Sequence, residues 1–167
     1  MIELETPRLQ FRAAKVNDAA FFLAILNTAD WLQYIGNRFV KTLVDAERYV
    51  KVNIIAHYKG DGFGMLVITE KKSGCAIGLA GLVKRNQSDT MELGYALMPD
   101  SYGKGYAKEA SKAIISWSFD ILGFDKLKAA VKCQNSYSIR VLDQLGFQED
   151  PTAADADKSA MIFILNK

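Results

Sequence analysis

The chain has 167 residues, half of them hydrophobic, with a formal net charge of +2, two cysteines and one histidine. That length and apolar content suit one domain with a real core and exclude a disordered chain. The small net charge gives no case for a nucleic-acid surface, and no apolar run approaches the roughly 18 residues of a membrane span.

Residues 8–13 read as a first strand. Asn17 or Asp18 can cap a helix beginning at Ala19, whose apolar stripe is Phe22, Ile25 and Leu26. Residues 30–38 form a linker rich in aromatics, with Trp31 and Tyr34. Thr42 and Asp45 stand at capping-box spacing ahead of a second helix, residues 43–58, which stops before Gly60. Along it Leu43, Ala46, Val50, Ile54 and His57 fall on one apolar side, so His57 is expected in the core or at its boundary.

A strand at residues 63–69, a Lys71-Lys72-Ser73-Gly74 turn and a strand at 75–84 make a hairpin. Gly78 and Gly81 in the second strand signal close approach or a bulge. Residues 85–89 are a polar turn. In residues 91–97 Met91, Leu93, Tyr95 and Leu97 alternate with Glu92, Gly94 and Ala96, a strand pattern that Pro99 ends.

From Ala107 the residues Ala110, Ile114, Trp117 and Ile121 recur at helical steps, and Gly123 closes the pattern. A strand at 127–133, a short helix at 136–145 closed by Gly146, a strand from Phe147, an Ala/Asp-rich loop at 151–159 and an apolar strand at 160–165 complete the chain. The total is roughly seven strands and four helices in mixed α/β order, with no internal repeat and no interdomain linker, hence one domain over residues 1–167. Cys75 and Cys133 sit at strand ends and read as small buried hydrophobes. One histidine and two scattered cysteines offer no zinc-ligand spacing, so no metal is expected. The acidic N-terminus, with Glu3 and Glu5, is unlike a signal peptide, and a cytoplasmic protein is the default.

Between the strand of residues 91–97 and the following helix lies Gly103-Lys104-Gly105. A helix start offers unpaired amides and partial positive charge, and two glycines let the backbone meet a ligand closely. Strand, glycine turn and helix together make a phosphate cradle, to which Lys104 and Lys108 add full charges. Neither of two common phosphate loops fits. No window supplies G-x-x-x-x-G-K-[ST], and the last place of a dinucleotide fingerprint holds Lys108.

The run Tyr102-Gly103-Lys104-Gly105-Tyr106-Ala107-Lys108-Glu109-Ala110 resembles the acyl-CoA pyrophosphate loop of the GNAT superfamily of N-acetyltransferases. Glu92-Leu93-Gly94-Tyr95-Ala96-Leu97 is similar to the strand before that loop, and residues 135–147, ending in Leu145-Gly146-Phe147, to the second CoA motif. Thr6-Pro7-Arg8-Leu9 with Arg12 resembles the opening of one branch, the ribosomal-protein N-terminal alanine acetyltransferases. The resemblance covers essentially the whole chain in order. It implies a single-domain α/β (α+β) fold, a mixed, mostly antiparallel sheet in which the strands of residues 91–97 and 127–133 splay apart around the pantetheine arm.

It also implies direct transfer of an acetyl group from acetyl-CoA to a primary amine, a protein N-terminus or a small amine. Backbone groups of Ala96, Leu97 and Met98 would pair with pantetheine. Tyr102, Gly103, Lys104, Gly105, Tyr106, Ala107 and Lys108 would hold the pyrophosphate. Asn135 would bond the pantetheine arm, or simply cap its helix. Glu92 is the candidate base, acting through water, or an ordinary polar residue near a strand end. Many family members place a tyrosine general acid where this chain has Leu142. The ribosomal-protein branch resembles this chain in carrying Ser138, which could donate to the sulfur or satisfy backbone groups. Trp31 and Tyr34 could line the acceptor pocket or pack on the core.

Energetics favour a weakly basic acceptor: at pH 7 deprotonating a lysine costs about 4–5 kcal/mol, an α-amine about 1–1.4 kcal/mol. A monomer or homodimer, with neither nucleic acid nor membrane as partner, completes the expectation. The rivals are a non-catalytic acetyl-CoA-binding module and a nucleotide-binding fold.

Overall fold

The computed structural model describes residues 4–84, 90–153 and 159–167. The polar turn expected at 85–89 and residues 154–158 of the Ala/Asp-rich loop lie outside the described residues.

Among the described residues, alternating apolar residues build one open sheet of eight strands: β1 Leu4–Glu5, β2 Leu9–Arg12, β3 Met65–Glu70, β4 Ala76–Val83, β5 Met91–Leu97, β6 Lys126–Lys132, β7 Gln148–Glu149 and β8 Ala160–Asn166. Their order is β1-β2-β3-β4-β5-β6-β8-β7. Every neighbouring pair is antiparallel except β5 and β6. The two-residue β1 adds an outer strand to the expected set.

At the β5–β6 junction the pairing stops almost at once. Only Met91 with Leu127 and Glu92 with Lys128 stand in register. Beyond them the strands diverge, and residues 93–97 of β5 keep partners on the β4 side alone.

Among the described residues, five α-helices cover the faces: α1 Ala19–Leu26, α2 Leu43–Tyr49, α3 Ala56–Asp61, α4 Tyr106–Ser116 and α5 Ser136–Gln144. Strand alternation sends Leu66, Ile68, Leu82, Leu93 and Leu97 to one face, against Ala110, Ile114 and Trp117 of the α4 run and Leu142 of α5. Val67 and Leu79 point to the other face, against Phe22, Ile25 and Leu26 of α1 and Ala46, Val50 and Ile54 of the α2 run. Gly81 marks a close approach, since a Cβ there would come within 2.8 Å of Met65 Cα.

The second helix forms as one run, but Val50–Ile55 between α2 and α3 is π-helical. Its start is the expected capping box, with Thr42 Oγ1 accepting from Asp45 N and the Asp45 carboxylate accepting from Thr42 N. A π turn bonds residue i to i+5 and so carries an extra residue, which rotates everything after it. This corrects the expectation for His57. Its side chain is 55% exposed and faces Asp61, with Nδ1 3.4 Å from Oδ2. Leu43, at the start of the stripe, is also exposed. Cys75 and Cys133 are both exposed free thiols rather than buried ones, because they occupy the turn positions just outside β4 and β6.

Candidate active site

The divergence of β5 from β6 opens a cleft of about 920 Å³. Its floor is β5. Its walls come from the loop before α4, from α5 and β6, and on the other face from the segment Trp31–Ile35 and the α2–α3 run.

At one end lies the glycine turn. Gly103 and Gly105 both adopt positive φ, 73° and 79°, a conformation that costs an L side chain about 1–2 kcal/mol. Gly105 is the N-cap residue of α4 and makes no side-chain cap, so the first helical amides keep their donors. Among the described residues, none accepts from the amides of residues 105–108. A Cβ built on Gly103 would meet nothing within 4 Å, so the space before the turn is open. Unpaired amides, the positive end of a three-turn helix, Lys108 on the rim and the unpaired edge of β5 together fit a long ligand carrying a diphosphate.

The turn is braced from the far end of the sequence. Glu109, in the first turn of α4, accepts from Thr6 Oγ1 at 2.6 Å, from Arg8 N at 3.2 Å and from Arg8 Nε at 2.6 Å. Arg8 Nη1 donates to Lys104 O at 2.9 Å. The Arg8 guanidinium lies over the Tyr106 ring, 4.5 Å from its centroid, and the Tyr106 hydroxyl donates to Glu70. Partial burial works to raise the Glu109 carboxyl, but the hydrogen bonds from Thr6 and Arg8 outweigh it and hold the group below its ordinary range. Such a depressed carboxyl stabilises the fold above its unfolded pKa and stops doing so as pH falls through its folded value. Glu109→Gln is therefore expected to lower the melting temperature at pH 7, with the gap to wild type closing below about pH 4. Thermal unfolding of both proteins across that range checks it.

Further along, Glu92 is a buried carboxylate, 4% exposed. The parallel register sets Lys128 beside it, Nζ 4.0 Å from Oε2, compensating a charge that burial would otherwise penalise. Glu92 shares its strand face with Gly94 and Ala96. Tyr95 points to the opposite face, toward α5. Asn135 caps α5, its Oδ1 accepting from Ser138 N at 3.1 Å. Ser138 lines the cleft. Leu142, one turn on, is fully buried and supplies no hydroxyl.

The cleft brings together Glu92, Ala96, Leu97, Tyr102, Gly103, Gly105, Tyr106, Ala107, Lys108, Asn135 and Ser138, with Trp31 and Tyr34 on the opposite wall. Met98 and Lys104 do not line it. Met98 N donates to Ile77 O at 2.8 Å and its side chain packs on the α1–α2 side, while Lys104 contributes its carbonyl to Arg8. Partial burial, with the Asp30 carboxylate beside it, pushes the Tyr102 phenol up to about 12. Arg8, Glu109 and Lys128 are additions that sequence spacing alone does not pick out.

The family model of the GNAT acetyltransferase domain matches residues 8–148. The chain belongs to the GNAT acetyltransferase family. As a GNAT protein it is an acyltransferase that uses acetyl-CoA as cosubstrate, and the cleft fits that ligand as described. The uncharacterised protein YkkB of Bacillus subtilis (strain 168) is 28% identical over 165 residues, covering 96% of this chain and 94% of that protein. The acetyltransferase from Agrobacterium tumefaciens str. C58 superposes with a TM-score of 0.87 at 25% identity, over 100% of this chain and 95% of that one. The ribosomal-protein-S5-alanine acetyltransferase from Vibrio fischeri shares the fold, with a TM-score of 0.73 at 18% identity over 99% and 97% of the two chains.

Proposed function

We propose that the chain, as one domain over residues 1–167, transfers acetyl from acetyl-CoA to a protein N-terminal α-amine by direct attack, in the cytoplasm and without a metal. The supporting observation is the two-ended cleft, with open amides at the glycine turn and a buried carboxylate, Glu92, beside the aromatic wall of Trp31 and Tyr34. Acetyl-CoA supplies an activated thioester. The amine lone pair forms the new C–N bond while the C–S bond breaks and sulfur departs with its electron pair. Glu92 takes the amine proton through water, Ser138 offers a hydrogen bond to the departing sulfur, and β5 aligns the ligand along its open edge. A thiol with a pKa near ~8.5 leaves readily as thiolate, so a hydrogen bond suffices where Leu142 supplies no acid.

Two features favour a polypeptide acceptor. An α-amine needs little help to lose its proton. Leu32 and Ile35, on the same segment as Trp31 and Tyr34, are exposed, apolar surface that a peptide chain can cover. A small amine is the second reading, favoured by Asp30 and Asp61 in the cleft lining. Thiol release from acetyl-CoA with peptides of varied N-terminus, spermidine and small amines decides between them. Peptides are expected to give the highest kcat/KM. Turnover confined to small amines would select the second reading, and tight acetyl-CoA binding without turnover on any amine would sink both.

A further inference from the structure

Glu92 with Lys128 is the second of the two register pairs between β5 and β6, the last before the strands part. Residues in register on neighbouring strands send their side chains to one face. Lys128 Nζ accordingly stands 4.0 Å from Glu92 Oε2, with the two side chains 20% and 6% exposed. Water screens a pair so placed much less than it would a surface pair. Glu92 lines the cleft and Lys128 does not, so the lysine meets the carboxylate outside the space a ligand fills. Other charges stand nearby. On β4 the register partner of Glu92 is the apolar Val83, and Lys84 follows it on the cleft wall. On β6, Lys126 and Lys132 share the face of Lys128, the first exposed and the second on the cleft wall. Asp30 and Arg38, before α2, and His57 and Asp61, on α3, line the cleft as well.

We propose that Lys128 is a positioning residue for the proton transfer, keeping the Glu92 carboxylate charged at the root of the cleft. The proposal rests on the reading of Glu92 as base, and it names what lets so buried a carboxylate serve as one. Burial favours the protonated form, which cannot take a proton from the amine, whereas a facing cation favours the ionised form. When the amine proton reaches Glu92 through water, the pair becomes a neutral acid beside an ammonium. Release of that proton to solvent restores the carboxylate for the next turnover.

The test follows kcat/KM across pH for wild type, Lys128→Met, Lys128→Gln, Lys128→Arg, Glu92→Gln and the double variant Glu92→Gln/Lys128→Met, with two accepted amines of different pKa. The limb due to the amine moves with the amine, whereas the limb due to Glu92 stays with the enzyme. The surrounding charges are common to every variant, so the comparison isolates Lys128. In Lys128→Met the enzyme limb is expected to move up by about 1–3 pH units, and Lys128→Gln, closer in polarity, should move it the same way. Each unit removes about tenfold of the rate on the acid side, and the curves rejoin wild type above the limb. Lys128→Arg, which keeps the charge, should hold the limb near its wild-type place. Adding Lys128→Met to Glu92→Gln should cost nothing further, since the lysine acts through the carboxylate. Coenzyme A affinity, which a general loss of structure would lower, should be retained throughout. A loss in the Lys128 variants that is equal at every pH marks a lysine that only supports the fold, and overturns the proposal. So does a wild-type limb in those variants beside an impaired Glu92→Gln. A wild-type rate in Glu92→Gln at every pH would instead remove the reading of Glu92 as base, and the proposal with it.

Discussion

Gly105→Val and Gly103→Val are each expected to weaken coenzyme A binding by about 100-fold, the loss of one or two charge-assisted hydrogen bonds. Both glycines hold positive φ, which valine resists, so the turn would relax and carry its amides away from the ligand. The two sites differ in what else they disturb. A Cβ at Gly105 comes to 3.5 Å from Arg8 Nη2, whereas one at Gly103 has no protein neighbour within 4 Å. Gly103→Val should therefore spare the brace between Arg8 and Glu109. A strain of about 1–2 kcal/mol in a chain of this size lowers the melting temperature by only a few degrees. Calorimetric titration with coenzyme A, beside thermal unfolding, separates the two effects. Wild-type affinity in both variants would show that the turn does not hold the diphosphate.

Glu92→Gln should cost about 10²-fold or more in kcat/KM at neutral pH, the usual scale for removing a general base. Glutamine keeps the shape of the side chain, so little cavity is created, and coenzyme A affinity should be retained. The variant depends on amine that has already lost its proton. Its deficit should shrink as pH rises toward an α-amine pKa near ~8 and remain larger for a lysine-like acceptor. Steady-state rates across pH make the comparison. A rate equal to wild type at every pH would clear Glu92 of the role and leave its pairing with Lys128 as a structural feature.

The parts of this molecule that the sequence announces are those that depend on near neighbours. The glycine turn, the Asn135 cap and the Thr42–Asp45 capping box are each decided within a few residues, and each forms as its local chemistry requires. Strand alternation likewise separates Glu92 from Tyr95 before any contact is known. The failures have equally physical sources. A π turn in the second helix moves His57 out to solvent, because a regular helical step no longer applies past Val50. The cysteines lie one residue beyond the strands that were expected to bury them. Glu109 and Arg8 are 101 residues apart, and Lys128 meets Glu92 only through the register of a parallel pair. Tyr95 and Ser138 come to line one cleft only once α5 is laid over β5. No local periodicity encodes such meetings.

An unsatisfied strand edge usually invites a second protein chain to add itself, the first step toward aggregation. In this molecule residues 93–97 present such an edge inward, at the bottom of a slot flanked by α5 and the glycine turn. The same gap that leaves the sheet half-stitched thus keeps its free edge in the middle of the strand order, lining the cleft, rather than on the outer rim where another chain would add itself.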